Sequence, residues 1–233
     1  MKTPLSIGLA CAGFLILAIY LGSHQMGDFD PALTWYAVAS VLGAFAVGYR
    51  FTVWAQRPPS RMYFNRGLEL AWRYPALLFK STGKKMAAQT FIKERSHYRW
   101  IMHLCLSGGC TLAFAVAFPL VFGWIHFDVG TTAEIYQAKV FGAVVREFSV
   151  HSLEAKLIFN MLNIAAAFVL VGLLMACWRR LTNAGVRAVQ SFTEDILPLL
   201  IIFAVTATGF MLTVSCSFLK GQGHAFLVWM HLL

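Results

Sequence analysis

The 233 residues are 59% hydrophobic and 12% charged, with a formal charge of +9 and a mean hydropathy of +0.67. A water-soluble domain is excluded, because such domains are about 25% charged and 45–50% apolar. Long apolar runs recur from end to end, which predicts an all-α fold: one polytopic transmembrane helix bundle, with five full helices and a sixth that is incomplete in this chain. The five cysteines (Cys11, Cys105, Cys110, Cys177, Cys216) lie inside apolar runs without CxxC or Cys/His spacing, and read as small packing residues.

The first run, Leu5 to Leu21, follows Lys2 as a signal peptide would, yet it lacks a small-x-small cleavage site and reads as a retained helix. With its loop it forms an extra N-terminal segment, residues 1–30, ahead of a unit spanning 31–233. The second run is Pro31 to Tyr49. A basic stretch from Arg50 to Arg99 follows, with 11 of the 19 Lys and Arg residues against only Glu69 and Glu94. Its middle, Asn65 to Phe79, mixes apolar residues with arginines and predicts a short helix at the membrane surface or a docking platform. No nucleic-acid motif accompanies the charge. The plainest reading is a topology signal that meets anionic headgroups, with partner docking as the other.

The third run is Trp100 to Ile125, followed by a near-neutral loop in which Thr131 to Val150 reads as a second surface helix. The fourth and fifth are Leu157 to Trp178 and Ile196 to Phe218, joined by a connection holding Arg179, Arg180 and Arg187. A sixth starts at Ala225 and reaches Leu233. At about 1.5 Å per residue it covers roughly half a bilayer, so completion beyond this sequence is expected. The positive-inside rule places the 50–99 loop and the N-terminus in the cytoplasm, in the inner membrane of a cell, and directs the sixth run inward.

Histidines are the chemically interesting residues, because neutral imidazole ligates iron and its second nitrogen can be satisfied by a backbone carbonyl. His103 sits about one turn inside the third helix, ahead of the small residues Ser107, Gly108 and Gly109. Those residues suit a flat group lying against the backbone, and equally a close helix contact. His231 lies about two turns inside the sixth run, seven residues after His224. On spacing alone each is a pore-facing or helix-bonded histidine as readily as a haem ligand. His24 reads as solvated in a short loop, and His97 and His126 as headgroup-level residues at the two edges of the third helix.

A resemblance sharpens this. Trp178-Arg-Arg-Leu-Thr-Asn-Ala-Gly-Val-Arg-Ala, then Glu194-Asp-Ile-Leu and an apolar helix with Gly209 and Leu212-Thr213, resembles the third-to-fourth helix connection of the gamma (cytochrome b) subunit of respiratory nitrate reductase. Trp100-Ile-Met-His103-Leu-Cys-Leu resembles that family's second helix, and Trp229-Met-His231-Leu-Leu the start of its last. The long basic loop and the extra helix suit the branch associated with heterodisulfide-reductase-like iron-sulfur proteins. The likeness covers residues 97–233. It departs from the family around Ala113, where a further histidine is missing, and at the second histidine of the last helix, which falls beyond Leu233.

The resemblance implies a dihaem cytochrome b domain over 31–233, with haem b bound by His103 near the inner face and by His231 near the outer face. For the outer iron it needs a second ligand, and His151 is the first candidate, with His224 and His126 in reserve. It also implies a quinone site, for which Lys156 would hydrogen-bond the quinone and Glu154 would carry its proton. The expected function is electron transfer between the quinone pool and a cytoplasmic iron-sulfur or flavin module, fused or separate, as the quinone-reactive membrane part of an oxidoreductase. The rival expectations are a haem-free membrane anchor and a transporter subunit.

Overall fold

The computed structural model describes residues 2–130, 132, 134–218, 226–228 and 231. Five helical stretches are long and apolar enough to cross a membrane: Thr3–Gly22, Pro31–Gln56, His97–Val121, Met161–Thr182 and Phe192–Phe218. The chain is thus a helical, multi-pass membrane protein. Helices dominate because a bilayer offers no water to satisfy the backbone, and a helix pairs its own N–H and C=O groups.

The helices in chain order are α1 (Lys2–Gly22), α2 (Thr34–Gln56), α3 (Pro58–Arg73), α4 (Pro75–Thr82), α5 (Thr90–Lys93), α6 (His97–Val121), α7 (Leu153–Phe159), α8 (Met161–Thr182), α9 (Ala184–Val189) and α10 (Leu197–Phe218). Phe226–Val228 and His231, from the sixth run, are also helical. The residues 65–79 are helical, as α3 and α4, broken at Tyr74 because a residue before proline is driven out of the helical region. Contacts divide the chain into one unit of residues 1–82 and 117–156 and another of 83–116 and 157–233.

In the first unit α1 packs along α2. At the C-terminal end of α1, Ile19, Phe29 and Phe122 form a buried core under Phe118 and Trp124. The Trp124 indole donates to Ala18 O at 3.1 Å. Buried Ser23 ends the helix: its hydroxyl donates to Ile19 O at 2.7 Å and accepts from Met26 N at 3.1 Å. His24, Gln25 and Met26 then turn through three consecutive left-handed conformations, with φ of 49°, 56° and 72°.

The expected surface helix over 131–150 is not there. The region is a β-meander: β1 (Ile125–Val129) pairs antiparallel with β2 (Ile135–Val140), and β2 with β3 (Ala143–Ser149), with a bulge at Ala138/Lys139. Two features favour strands. Ile135, Tyr136, Val140, Val144, Val145 and Phe148 are β-branched or aromatic, and Phe141-Gly142 forms the two-residue, doubly left-handed turn that suits a hairpin, with φ of 48° and 75°. The strand β1 also takes Ile125 from the third apolar run, so α6 stops at Val121 and His126 lies in a strand rather than at a helix edge.

In the second unit α6 and α8 meet at glycines. A Cβ on Gly109 would lie 2.7 Å from Val169 Cγ2 and 2.9 Å from Ala165 O, and one on Gly172 would lie 2.8 Å from Leu106 N. The buried stripe Ala165, Val169, Gly172, Leu173 and Ala176 recurs at helical spacing along α8. Tyr98 OH donates to Met175 O at 2.7 Å. The hydroxyl of Thr213 on α10 donates to Asn163 Oδ1 on α8 at 2.9 Å.

The turn at Gly142 gives a direct test of the meander. A Cβ there would lie 1.6 Å from His24 Cε1, at a φ that L side chains rarely adopt. Gly142→Ala is expected to destabilise this end of the protein by about 2 kcal/mol, read as a lower thermal midpoint in detergent. Adding His24→Ala should restore the steric part of that loss and leave the backbone part.

Candidate functional site

The sequence marks out His103 and His231, and both lie in the second unit. Small residues after His103 do two different things: Gly109 is consumed by the contact with α8, while the space beside Gly108 is open. His103 itself is exposed on α6 and lines a cleft of about 550 Å³ with Lys85, Gln89, Arg95 and Arg99. One wall of this cleft is tied to α6 through a chain of hydrogen bonds. Ser107 Oγ donates to His103 O at 2.6 Å and accepts from Gln89 Nε2 at 2.6 Å, with Gln89 itself in a left-handed conformation. Trp100 Nε1 holds the same segment by donating to Ala88 O at 2.8 Å.

His231 is half-buried against Gly209 of α10. Its Nδ1 lies 3.1 Å from Thr208 Oγ1, and that hydroxyl is 2.7 Å from Ala204 O. A hydroxyl carries one proton. With that proton donated to Ala204 O, or to Val205 O at 3.1 Å, the oxygen can only accept from His231. A His231 ring that donates from Nδ1 to this hydroxyl keeps its lone pair on Nε2, one of the two ring nitrogens that can ligate a metal. Sequence reasoning missed Thr208. Its signal was a hydroxyl side chain directly before Gly209.

The remaining candidates lie in the first unit or outside the described residues. His151 is exposed in the turn after β3, where its backbone N–H donates to Ser149 Oγ at 3.3 Å. Ser152 accepts from Ala155 N and so caps α7. Glu154 makes a two-bond contact with Arg146, at 2.6 and 3.0 Å. Lys156 is exposed on α7, and its backbone N–H donates to Ser152 O. His224 lies outside the described residues. Among the described residues no three His, Cys, Asp or Glu side chains are grouped to hold a metal ion, so His103 and His231 stand as single donors.

Two histidines expected to be bland belong to an acid network in the first unit. Asp28 faces His24 Nδ1 at 3.1 Å and His126 Nε2 at 3.9 Å, and His126 also lies 4.0 Å from Asp128. Lys139 donates to Asp128 from the neighbouring strand. That hydrogen bond holds the Asp128 carboxyl below its ordinary range against a smaller effect of burial, and the charges of Lys139 and His126 act in the same direction as the bond. His24 is thus paired, although its side chain remains 57% exposed.

No family model, curated protein or solved structure matches this chain.

The tautomer of His231 is directly measurable. In 15N-histidine-labelled protein in lipid, the His231 ring is expected to show protonated Nδ1 and unprotonated Nε2. Thr208→Ser should keep that pattern, and Thr208→Val should lose it; a protonated Nε2 in the unaltered protein would contradict the assignment.

Proposed function

We propose that the chain is the membrane module of a b-type cytochrome, moving electrons between a quinone pool and an iron-sulfur or flavin partner on the cytoplasmic face. The observation that carries the reading is His231, whose Nδ1 lies 3.1 Å from the Thr208 hydroxyl, so that a ring donating from Nδ1 offers its Nε2 lone pair to iron. An ionisable side chain inside a membrane span is costly, and its retention is a reason to look for a use.

The residues suit haem b as the group held. His103 and His231 would each hold the iron through a ring nitrogen. When bound, haem supplies one-electron transfer at a potential set by its axial ligands and their hydrogen bonds. The protein's own part is to fix ring orientation through Thr208 at His231, and to hold the backbone around His103 through Ser107 and Gln89. The second ligand of each iron would come from elsewhere.

The same proposal places the N-terminus and the basic 50–99 segment in the cytoplasm, because Lys and Arg concentrate on that side. It takes the membrane to be the cytoplasmic membrane of a cell. The partner, fused or separate, would then meet the basic segment. Quinone would be met near Lys156, whose ammonium can donate to a quinone oxygen, with Glu154 two residues away as the proton-handling group.

The test is reduction by a quinol analogue, with protein purified in mild detergent. The absorbance bands of a b-type cytochrome should appear, and His103→Ala should remove part or all of the haem. Lys156→Ala should slow reduction about tenfold or more, within the range that proton handling contributes to rate, at unchanged haem content. A folded but colourless protein would overturn the proposal, and unchanged kinetics in the Lys156 variant would move the quinone site elsewhere.

A further inference from the structure

The cleft beside His103 has properties that a haem-binding histidine does not explain. Lys85, Arg95 and Arg99 line it together with the apolar side chains of Phe91 and Ile92. None of the three cations forms an ion pair among the described residues, although Arg66, Lys139, Arg146 and Arg180 elsewhere do. Neighbouring Lys93, by contrast, is settled over the Trp100 ring, 4.7 Å from its centroid. Three cations converging without a counter-charge repel one another, and an anion placed among them relieves that repulsion.

Gln89 closes one wall of the cleft by donating from Nε2 to Ser107 Oγ, and its Oε1 is shielded from solvent with no hydrogen-bond partner among the described residues. The cleft also lies at the N-terminal end of α6, a membrane-crossing helix, where phospholipid headgroups are found.

We infer that this cleft binds the phosphate headgroup of an acidic phospholipid. The phosphate lies among Lys85, Arg95 and Arg99, and an acyl chain runs past Phe91 and Ile92. Basic pockets beside membrane helices bind anionic headgroups in this way. The inference does not depend on haem: it rests on unpaired cations beside an apolar flank, and its ligand comes from the bilayer.

The test is native mass spectrometry of the full chain in detergent, titrated with phosphatidylglycerol, phosphatidic acid and phosphatidylcholine. Phosphatidylglycerol and phosphatidic acid should both be retained better than phosphatidylcholine. Each cation near an anionic headgroup is worth about a fivefold factor, so Arg95→Gln with Arg99→Gln should weaken retention about 25-fold. Arg95→Lys with Arg99→Lys should keep most of it, which separates charge from misfolding. Arg61→Gln with Arg73→Gln, which removes equal charge outside the cleft, should change little. Four results would overturn the inference: equal loss in the control pair, retention of phosphatidylcholine equal to that of the acidic lipids, displacement of the lipid by inorganic phosphate at equal concentration, or loss of haem with lipid retention unchanged in the arginine variants.

Discussion

In a bilayer the lipid tails are as apolar as the side chains, so helices gain little by hiding leucines from their surroundings. What holds two of them together is close contact, and close contact requires small residues. The rest of the second unit depends on such a contact, where Gly109 and Gly172 let α6 and α8 touch backbone to side chain and backbone to backbone. With that side of α6 committed, His103 remains exposed toward the cleft, and Tyr98 ties the beginning of α6 to Met175 on α8. The placement of the histidine thus follows from two glycines that perform no chemistry.

The five apolar helices were legible because hydrophobic length is the strongest signal in a membrane sequence. Helix ends were less so. The fourth run reads as one helix from Leu157, but the chain breaks at Asn160, whose side chain accepts from Asn163 and whose backbone leaves the regular helical geometry. The meander was misread for a physical reason as well. Residues 131–150 mix polar and apolar side chains closely enough to suit an amphipathic helix, and only the β-branched density and the Phe141-Gly142 pair distinguish a hairpin.

The site shows the same division between what spacing reveals and what contact decides. His103 and His231 stand out in the sequence because imidazoles are rare in apolar runs. Nothing in spacing could say that Thr208 meets one, or that Gln89, Arg95 and Arg99 gather around the other, since those meetings depend on how distant segments fold together. The reverse holds for His24 and His126. They look incidental in sequence, and the structure joins them through Asp28 beneath a turn of three left-handed residues. Backbone strain of that kind costs of order 1–3 kcal/mol per residue and persists only where surrounding contacts enforce it. Here Ser23 and Gly142 supply them.

The central claim is that His103 and His231 are iron ligands, and electron paramagnetic resonance of the oxidised, detergent-purified protein tests it most directly. Low-spin ferric haem signals are expected, with one lost or converted to high spin in His103→Ala and a different one in His231→Ala. Haem signals that persist unchanged in both variants, or a folded protein with no haem signal at all, would contradict it.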